Sequence, residues 1–176
     1  MENPQKLWTM PVAVDDIPET GLHIEAEAPA EVRAQLVKLA NLRDLSNLSA
    51  VFDLTRRGSG VEVAGQVKAR VGQTCVVTLD PLETDVDEPI NLLFVPSGAG
   101  PQGDDASHNV DEKEPPEPLI EGKLDLGAIA TEFLLLGIDP YPRKAGAEFA
   151  AVKTADDSAK PFAALEALKK RLGDNF

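Results

Sequence analysis

Apolar and polar residues alternate along much of this chain, and the period of alternation marks its elements. In "KLWTMPVAVDDIP", Trp8, Met10, Val12 and Val14 fall on one side, which predicts a strand ended by Asp15 and Asp16. "GLHIEAEAP" turns Leu22, Ile24 and Ala26 inward and His23 outward beside Glu25. His23 has no visible partner in the sequence and reads as a solvated strand position. At "PAEVRAQLVKLAN" the period lengthens, with Val32, Leu36, Leu39 and Ala40 at helical spacing. Pro29 suits a first turn, Glu31 the positive end, Lys38 the negative end and Asn41 a left-handed stop. These signals predict a helix from about Pro29 to Leu39.

Period two then returns. Leu48, Ala50, Phe52 and Leu54 share a face, "RGSG" is a turn, and Val61, Val63, Gly65, Val67, Ala69 and Val71 share the next. "CVVTLDPLETDVDEPINLLFVP" reads as strand, turn at Asp80-Pro81, strand. Leu48 to Val95 is therefore expected to be an antiparallel meander of three or more strands. Leu119 to Lys123 can add an edge strand. Asp125 is a suitable N-cap for "LGAIATEFLLL", Gly137 a suitable stop, and Leu126, Ile129, Ala130, Phe133 and Leu134 form an apolar stripe. The prolines flanking Tyr141 forbid further helix. The predicted fold is α+β: an antiparallel meander or partly closed barrel with two to three helices packed on it.

Two segments depart from these patterns. Residues 96–118 are rich in Pro, Gly and acids and nearly free of apolar side chains, so they read as a disordered acidic loop that includes His108. Residues 150–176 read as a flexible tail carrying a short amphipathic helix from Pro161, with Phe162, Leu165, Leu168 and Leu172 along one side. Residues 1–149 then form one domain interrupted by the loop.

Charge sharpens this picture. The net charge of −13 is concentrated: Asp80 to Glu121 holds twelve acids and one base, Lys113, while the remaining eighteen acids and sixteen bases nearly cancel. Such a belt repels phosphates and attracts basic partners, or simply keeps a loop solvated. Broad nucleic-acid binding would call for a basic patch. Only Arg56, Arg57, Lys68 and Arg70 offer one, as a strip on the solvent face of the meander. No stretch has the apolar length of a membrane span, the start lacks the pattern of a secretory signal, and one Cys cannot form an intramolecular disulfide, so a cytoplasmic protein is expected.

Candidate chemistry is sparse. A thiol nucleophile needs a base and an orienting group, and neither His23 nor His108 is placed to serve Cys75. Cys75 sits beside Val76 and Val77, where a thiol behaves as a small hydrophobe. One Cys and two scattered histidines do not make a zinc site. "GSG" at Gly58–Gly60 lies in a hairpin rather than between strand and helix, so it is not a phosphate loop. Asp85 and Asp87 share a strand face as solvated charges. No catalytic residue, metal ligand, cofactor or small-molecule substrate is expected.

The order of parts resembles the YceD-like family, described as large ribosomal RNA subunit accumulation proteins of bacteria. That family has a strand ending in Cys-x-x-Cys-Leu, a Pro and an acid-bearing strand, a variable acidic loop, a Leu-Asp-Leu start to a helix rich in Glu and Leu, and a Pro-containing segment. Cys75 and Leu79 match the first motif, with Thr78 in place of the second Cys. Leu124, Asp125 and Leu126, then Glu132 and Leu134 to Leu136, match the helix. Asp139, Pro140, Tyr141, Pro142 and Arg143 match the closing segment. Any metal or redox role that needs two cysteines is not available here; Thr78 can hydrogen-bond the turn backbone instead. The resemblance implies a role in accumulation of large-subunit ribosomal RNA, with no enzymatic activity placed on residues; together with the acidic belt it favours a non-enzymatic factor that binds basic ribosomal proteins or assembly intermediates. Direct binding or processing of precursor RNA is the alternative, and an acidic adaptor unrelated to ribosomes is a third reading. The motif positions are structural or partner-binding; Tyr141 either caps the core or meets the partner.

Overall fold

A computed structural model describes residues 7–96 and 116–149 of the chain. In chain order the elements are β1 (Pro11–Ala13), a 3-10 turn (Val14–Asp16), β2 (Leu22–Glu27), α1 (Ala30–Leu39), β3 (Asp44–Arg57), β4 (Gly60–Thr74), β5 (Pro81–Pro96), β6 (Glu117–Leu119), β7 (Lys123–Asp125) and α2 (Leu126–Gly137). One sheet has the order β2-β3-β4-β5-β6, antiparallel except for the parallel β5–β6 pair. β1 and β7 form a separate antiparallel pair. The fold is α+β with an open mixed sheet.

Alternation fixes which face of the sheet is covered. Register aligns Leu54 with Val63 and Leu92, Phe52 with Gly65 and Ile90, and Leu48 with Ala69 and Val86. Their side chains form the inner face, where Leu48, Phe52, Leu54, Val61, Val63, Val67, Val71 and Ile90 are fully buried. Each such side chain contributes about 1.5–3 kcal/mol relative to exposure. Gly65 keeps β3 and β4 together there: a Cβ at this position would run into the Val51 carbonyl, and Phe52 Cα would stand 3.3 Å from it.

Both helices contribute to this core, unequally. α1 buries only Leu36, whereas α2 buries Leu126, Gly127, Ile129, Ala130, Thr131 and Leu134. The buried Thr131 hydroxyl donates to the Gly127 carbonyl at 2.8 Å, which removes the cost of an unpaired polar group. Gly127 allows α2 to approach the chain at Trp8, whose carbonyl carbon would lie 2.7 Å from an added Cβ.

Several expectations change. The sheet is open rather than a partly closed barrel, with β2 at one edge and the short β6 at the other. The N-terminal strand shrinks to Pro11–Ala13, because its partner β7 is only three residues long. Leu119 to Lys123 is not one strand: Glu121 and Gly122 take positive φ and divide β6 from β7. Pro96, Glu117 and Pro118, assigned by composition to the acidic loop, lie in strands. The rest of that loop, with His108, and the amphipathic segment from Pro161 lie outside the described residues. The three-strand meander, the helix from Ala30 to Leu39, the left-handed Asn41 and the Asp125 cap match expectation, but Cys75 to Leu79 is not strand: β4 ends at Thr74, and the turn spans Cys75 to Asp80 because backbone bonds close it there rather than at Asp80-Pro81. Among the described residues no helix is long and apolar enough to cross a membrane.

Candidate functional site

The β4–β5 hairpin closes at Cys75 to Asp80. The Cys75 N–H donates to the Asp80 carbonyl and the Leu79 N–H to the Cys75 carbonyl, both at 2.9 Å. Closing so tightly places Leu79 at φ 63, a left-handed conformation that costs a non-glycine residue about 1–2 kcal/mol. Leu79 nevertheless projects outward, 74% exposed. The Thr78 N–H donates to Cys75 Sγ at 3.4 Å, and Thr78 Oγ1 accepts from the Asp80 N–H at 3.4 Å. Thr78 thus bonds the turn backbone where the family pattern has its second Cys.

The segment after α2 returns to this turn. Asp139 Oδ1 accepts from the Tyr141 N–H at 2.8 Å, a local turn that spans Pro140. Gln73 Nε2 donates to the Asp139 carbonyl at 2.8 Å, and the Val76 N–H to the Pro142 carbonyl at 2.9 Å. The Lys144 N–H donates to Cys75 Sγ at 3.4 Å, while its ammonium lies 3.3 Å from Asp80. Pro142 is buried against the hairpin. Two segments more than sixty residues apart in sequence are therefore joined through one sulfur and two backbone carbonyls.

These donors set the acidity of the thiol. The Lys144 N–H, the Thr78 hydroxyl and the Thr78 N–H stabilise the thiolate and lower Cys75 to about 6, with burial opposing and the Val77 N–H adding a little. Cys75 is fully buried, so its sulfur acts as an acceptor that fastens two segments. Its acidity is unlike that of the inert small hydrophobe read from its Val neighbours. Among the described residues, no three His, Cys, Asp or Glu side chains cluster as metal ligands would.

The structure brings Cys75, Thr78 and Leu79 together with Asp139, Pro140, Tyr141, Pro142 and Arg143. Val76, Leu79 and Tyr141 are exposed at 45%, 74% and 71%, and Arg143 is exposed beside them. Tyr141 does not cap the core. Asp125 and Glu132 belong elsewhere. Asp125 Oδ1 caps α2 by accepting from the Gly127 and Ala128 N–H groups, and it also accepts from the Met10 N–H at 2.8 Å. Glu132 is exposed on α2.

Sequence reading missed Gln73 and Lys144. Gln73 was legible in principle, since it continues the inward parity of Val67, Ala69 and Val71, and a polar residue at a buried position must have partners. Its Oε1 also accepts from the Thr84 hydroxyl at 3.1 Å. Lys144 acts through its backbone N–H, which leaves no signature in residue type. His23 does have a partner: Nδ1 lies 2.7 Å from Asp53, across the β2–β3 pair, and Nε2 lies 3.5 Å from Glu25. Both bonds raise its pKa, Asp53 foremost. Of the four bases that could form a strip on the solvent face, three are engaged by neighbouring groups. Arg57 pairs with Glu62 at 2.7 Å, Arg70 with Glu83 at 2.9 Å and Asp85 at 3.5 Å, and Arg56 donates to the Val14 carbonyl.

A protein-family model described as "Large ribosomal RNA subunit accumulation protein YceD" matches residues 63–169. The match takes in β4 from Val63, β5, α2 and both halves of the joined site. The chain belongs to the YceD family. No curated protein and no solved structure matches it.

Proposed function

We propose that this YceD-family chain supports accumulation of large-subunit ribosomal RNA as a non-enzymatic assembly factor, by binding basic ribosomal proteins or assembly intermediates. The observation that carries this reading is the joined site. The family's two motif segments meet there, backbone groups of Val76, Asp139, Pro142 and Lys144 hold them together, and apolar side chains remain outside. Buried bonding with exposed Val76, Leu79 and Tyr141 suits a rigid platform for contact, since Tyr is a favoured interface side chain. The charge distribution agrees. Arg57 and Arg70 are already paired with acids, and the belt from Asp80 to Glu121 favours a cationic protein over a phosphate backbone.

The test is association of the tagged full chain with large-subunit particles and with separate ribosomal proteins, before and after nuclease, across a salt series. Expected is nuclease-resistant association that weakens with salt, as the screening length falls from about 10 Å at 0.1 M to about 3 Å at 1 M. Tyr141→Ala is expected mainly to speed dissociation, and neutralising exposed acids of the belt mainly to slow association. Tight binding to naked ribosomal RNA, or association lost on nuclease treatment, overturns the reading in favour of direct RNA contact.

A further inference from the structure

We infer that residues 161–172 of this chain dock as a helix, antiparallel to α2, in the groove between α2 and β5. The groove, of about 1110 Å³, is lined on the α2 side by Ala128, Ile129, Glu132, Phe133 and Leu136, and on the sheet side by Leu92 and Phe94. Leu136 is 72% exposed, and Ile120, also in the lining, 73%. Among the described residues nothing covers this face. An apolar stripe left open on a helix that packs on a sheet calls for a cover.

Apolar spacing argues for this segment and for its direction. On α2, Ile129, Phe133 and Leu136 follow one another at four residues and then three. Leu165, Leu168 and Leu172 follow at three and then four. Read backwards, the second run repeats the first. An antiparallel pair therefore sets Leu136 opposite Leu165, Phe133 opposite Leu168 and Ile129 opposite Leu172. Alternate steps of three and four are the seam along which two helices interlock. Charge points the same way. The groove lining holds Glu62, Glu117, Asp125 and Glu132 against Arg57 and Lys123. Between Lys160 and Leu172 stand four bases and one acid, Glu166. With Phe133 opposite Leu168, Glu132 comes level with Lys169, the first of the run Lys169, Lys170 and Arg171.

The connection is long enough. The C-terminal end of α2 lies on β5, where a Cβ at Gly137 would meet Val86 and Glu88. From there the chain runs to the Cys75–Asp80 turn, where the Lys144 N–H meets Cys75 Sγ. Eight residues of strand, from Asp80 to Glu88, span about 26 Å. The eleven residues 150–160 alone extend to about 36 Å. Antiparallel docking starts at this same end of α2. The tether also gives the segment an effective concentration on the order of mM, which an unlinked partner lacks. A second copy would set the groove acids against their own kind. The family match spans residues 63–169 and so takes in α2, Leu165, Leu168 and Lys169 as one unit. The inference goes beyond the proposed role and does not rest on it: docking covers Phe133 and Leu136 and leaves Val76, Leu79 and Tyr141 outside.

The test is proximity within the full chain. Two cysteine pairs, Leu136→Cys with Leu165→Cys and Leu136→Cys with Leu172→Cys, are made in a Cys75→Ala background and equilibrated in glutathione redox buffer. A disulfide requires Cα atoms within about 7 Å. Antiparallel docking sets position 136 level with 165 and about 10 Å along the axis from 172. The first pair is expected to form an intramolecular disulfide with an effective concentration at least about tenfold that of the second. Hydrogen exchange of the chain without introduced cysteines is the second measurement, and it decides if the background variant fails to fold. A helix of about twelve residues is marginal alone, so slow exchange over Leu165–Leu172 requires packing. Leu136→Asp, an exposed change on α2, should remove about tenfold or more of that protection while leaving β4 amides as they were. Equal disulfide formation by the two pairs, preference for the second, a disulfide that links two chains instead, fast exchange over Leu165–Leu172 in the wild type, or protection there that survives Leu136→Asp overturns the inference.

Discussion

Residues 7–62 and the described residues from Val63 onward are built on the same sheet but finish their surfaces differently. Among the described residues, eight large apolar side chains are exposed, and seven of them (Val76, Leu79, Leu93, Ile120, Leu136, Tyr141 and Phe149) lie after Val63; only Leu39 lies before it. Exposed strand positions carry paired charges in both parts, His23–Asp53 in the earlier and Arg70–Glu83 in the later, but in the earlier part turns fall at residues suited to them, such as Asn41 and Gly58. In the later part a left-handed turn position is held by an exposed Leu79. The earlier region supplies half of the core and little else; the later region completes the core and presents contact surface. The family match begins at Val63, on the same side of this division.

The largest expected effect breaks the scaffold that both regions share. Gly65→Ala places a Cβ against the Val51 backbone, which has no side-chain end to yield, and is expected to cost about 3 kcal/mol. Urea denaturation measures this. A loss under about 0.5 kcal/mol, the range of an unremarkable surface change, would show that β3 and β4 can separate freely there. Next in size, Asp125→Ala removes a side chain that accepts from Gly127, Ala128 and Met10, and should cost about 1–2 kcal/mol. Asp125→Asn should keep most of that. If the two variants are equally destabilised, the cap is not the source of the effect.

Much of the scaffold could be read from period alone, because an inward face two residues apart leaves a direct trace in residue type: Leu48, Phe52, Val63 and Ile90 are buried as their parity requires. Closure of the sheet is set by which edges find partners, and no local pattern encodes that, so the open sheet and the β1–β7 pair were not legible. At the joined site, the positions followed from motif resemblance, but their assembly depends on backbone groups of Pro142, Asp139 and Lys144. Backbone groups are the same in every residue, so a sequence records them only where Pro or Gly removes an option.

The thiol gives a finer test of the later region. Cys75 is lowered from an ordinary thiol value of 9.0 to about 6 in the folded chain. A depressed acid contributes stability that is fully present above its unfolded value and is lost as pH falls through the folded one. Stability should therefore rise between about pH 6 and 9 through this group. Cys75→Ala should flatten that slope while leaving the sheet folded. Thiolate absorbance across the same range reports the titration directly, and a midpoint near 9 would mean that the Lys144 and Thr78 donors do not reach the sulfur.

The smallest effect on stability separates the two regions most cleanly. Leu79 is strained at φ 63 and exposed, so the turn would be better served by glycine. Relief of the left-handed strain favours Leu79→Gly by about 1–2 kcal/mol, and the greater freedom of glycine in the unfolded chain takes back about 0.5–1 kcal/mol. The net gain should lie between about zero and 1.5 kcal/mol. Leu79→Ala keeps the strain and loses the same side chain, so it should gain nothing. If Leu79 is held there for contact, both variants should dissociate faster from large-subunit particles even though one of them is the more stable protein. A more stable chain that binds less well is the signature of strain retained at a functional surface. Should Leu79→Gly be stabilised with association unchanged, the exposed leucine has no part in binding, and the contact surface contracts to Val76 and Tyr141.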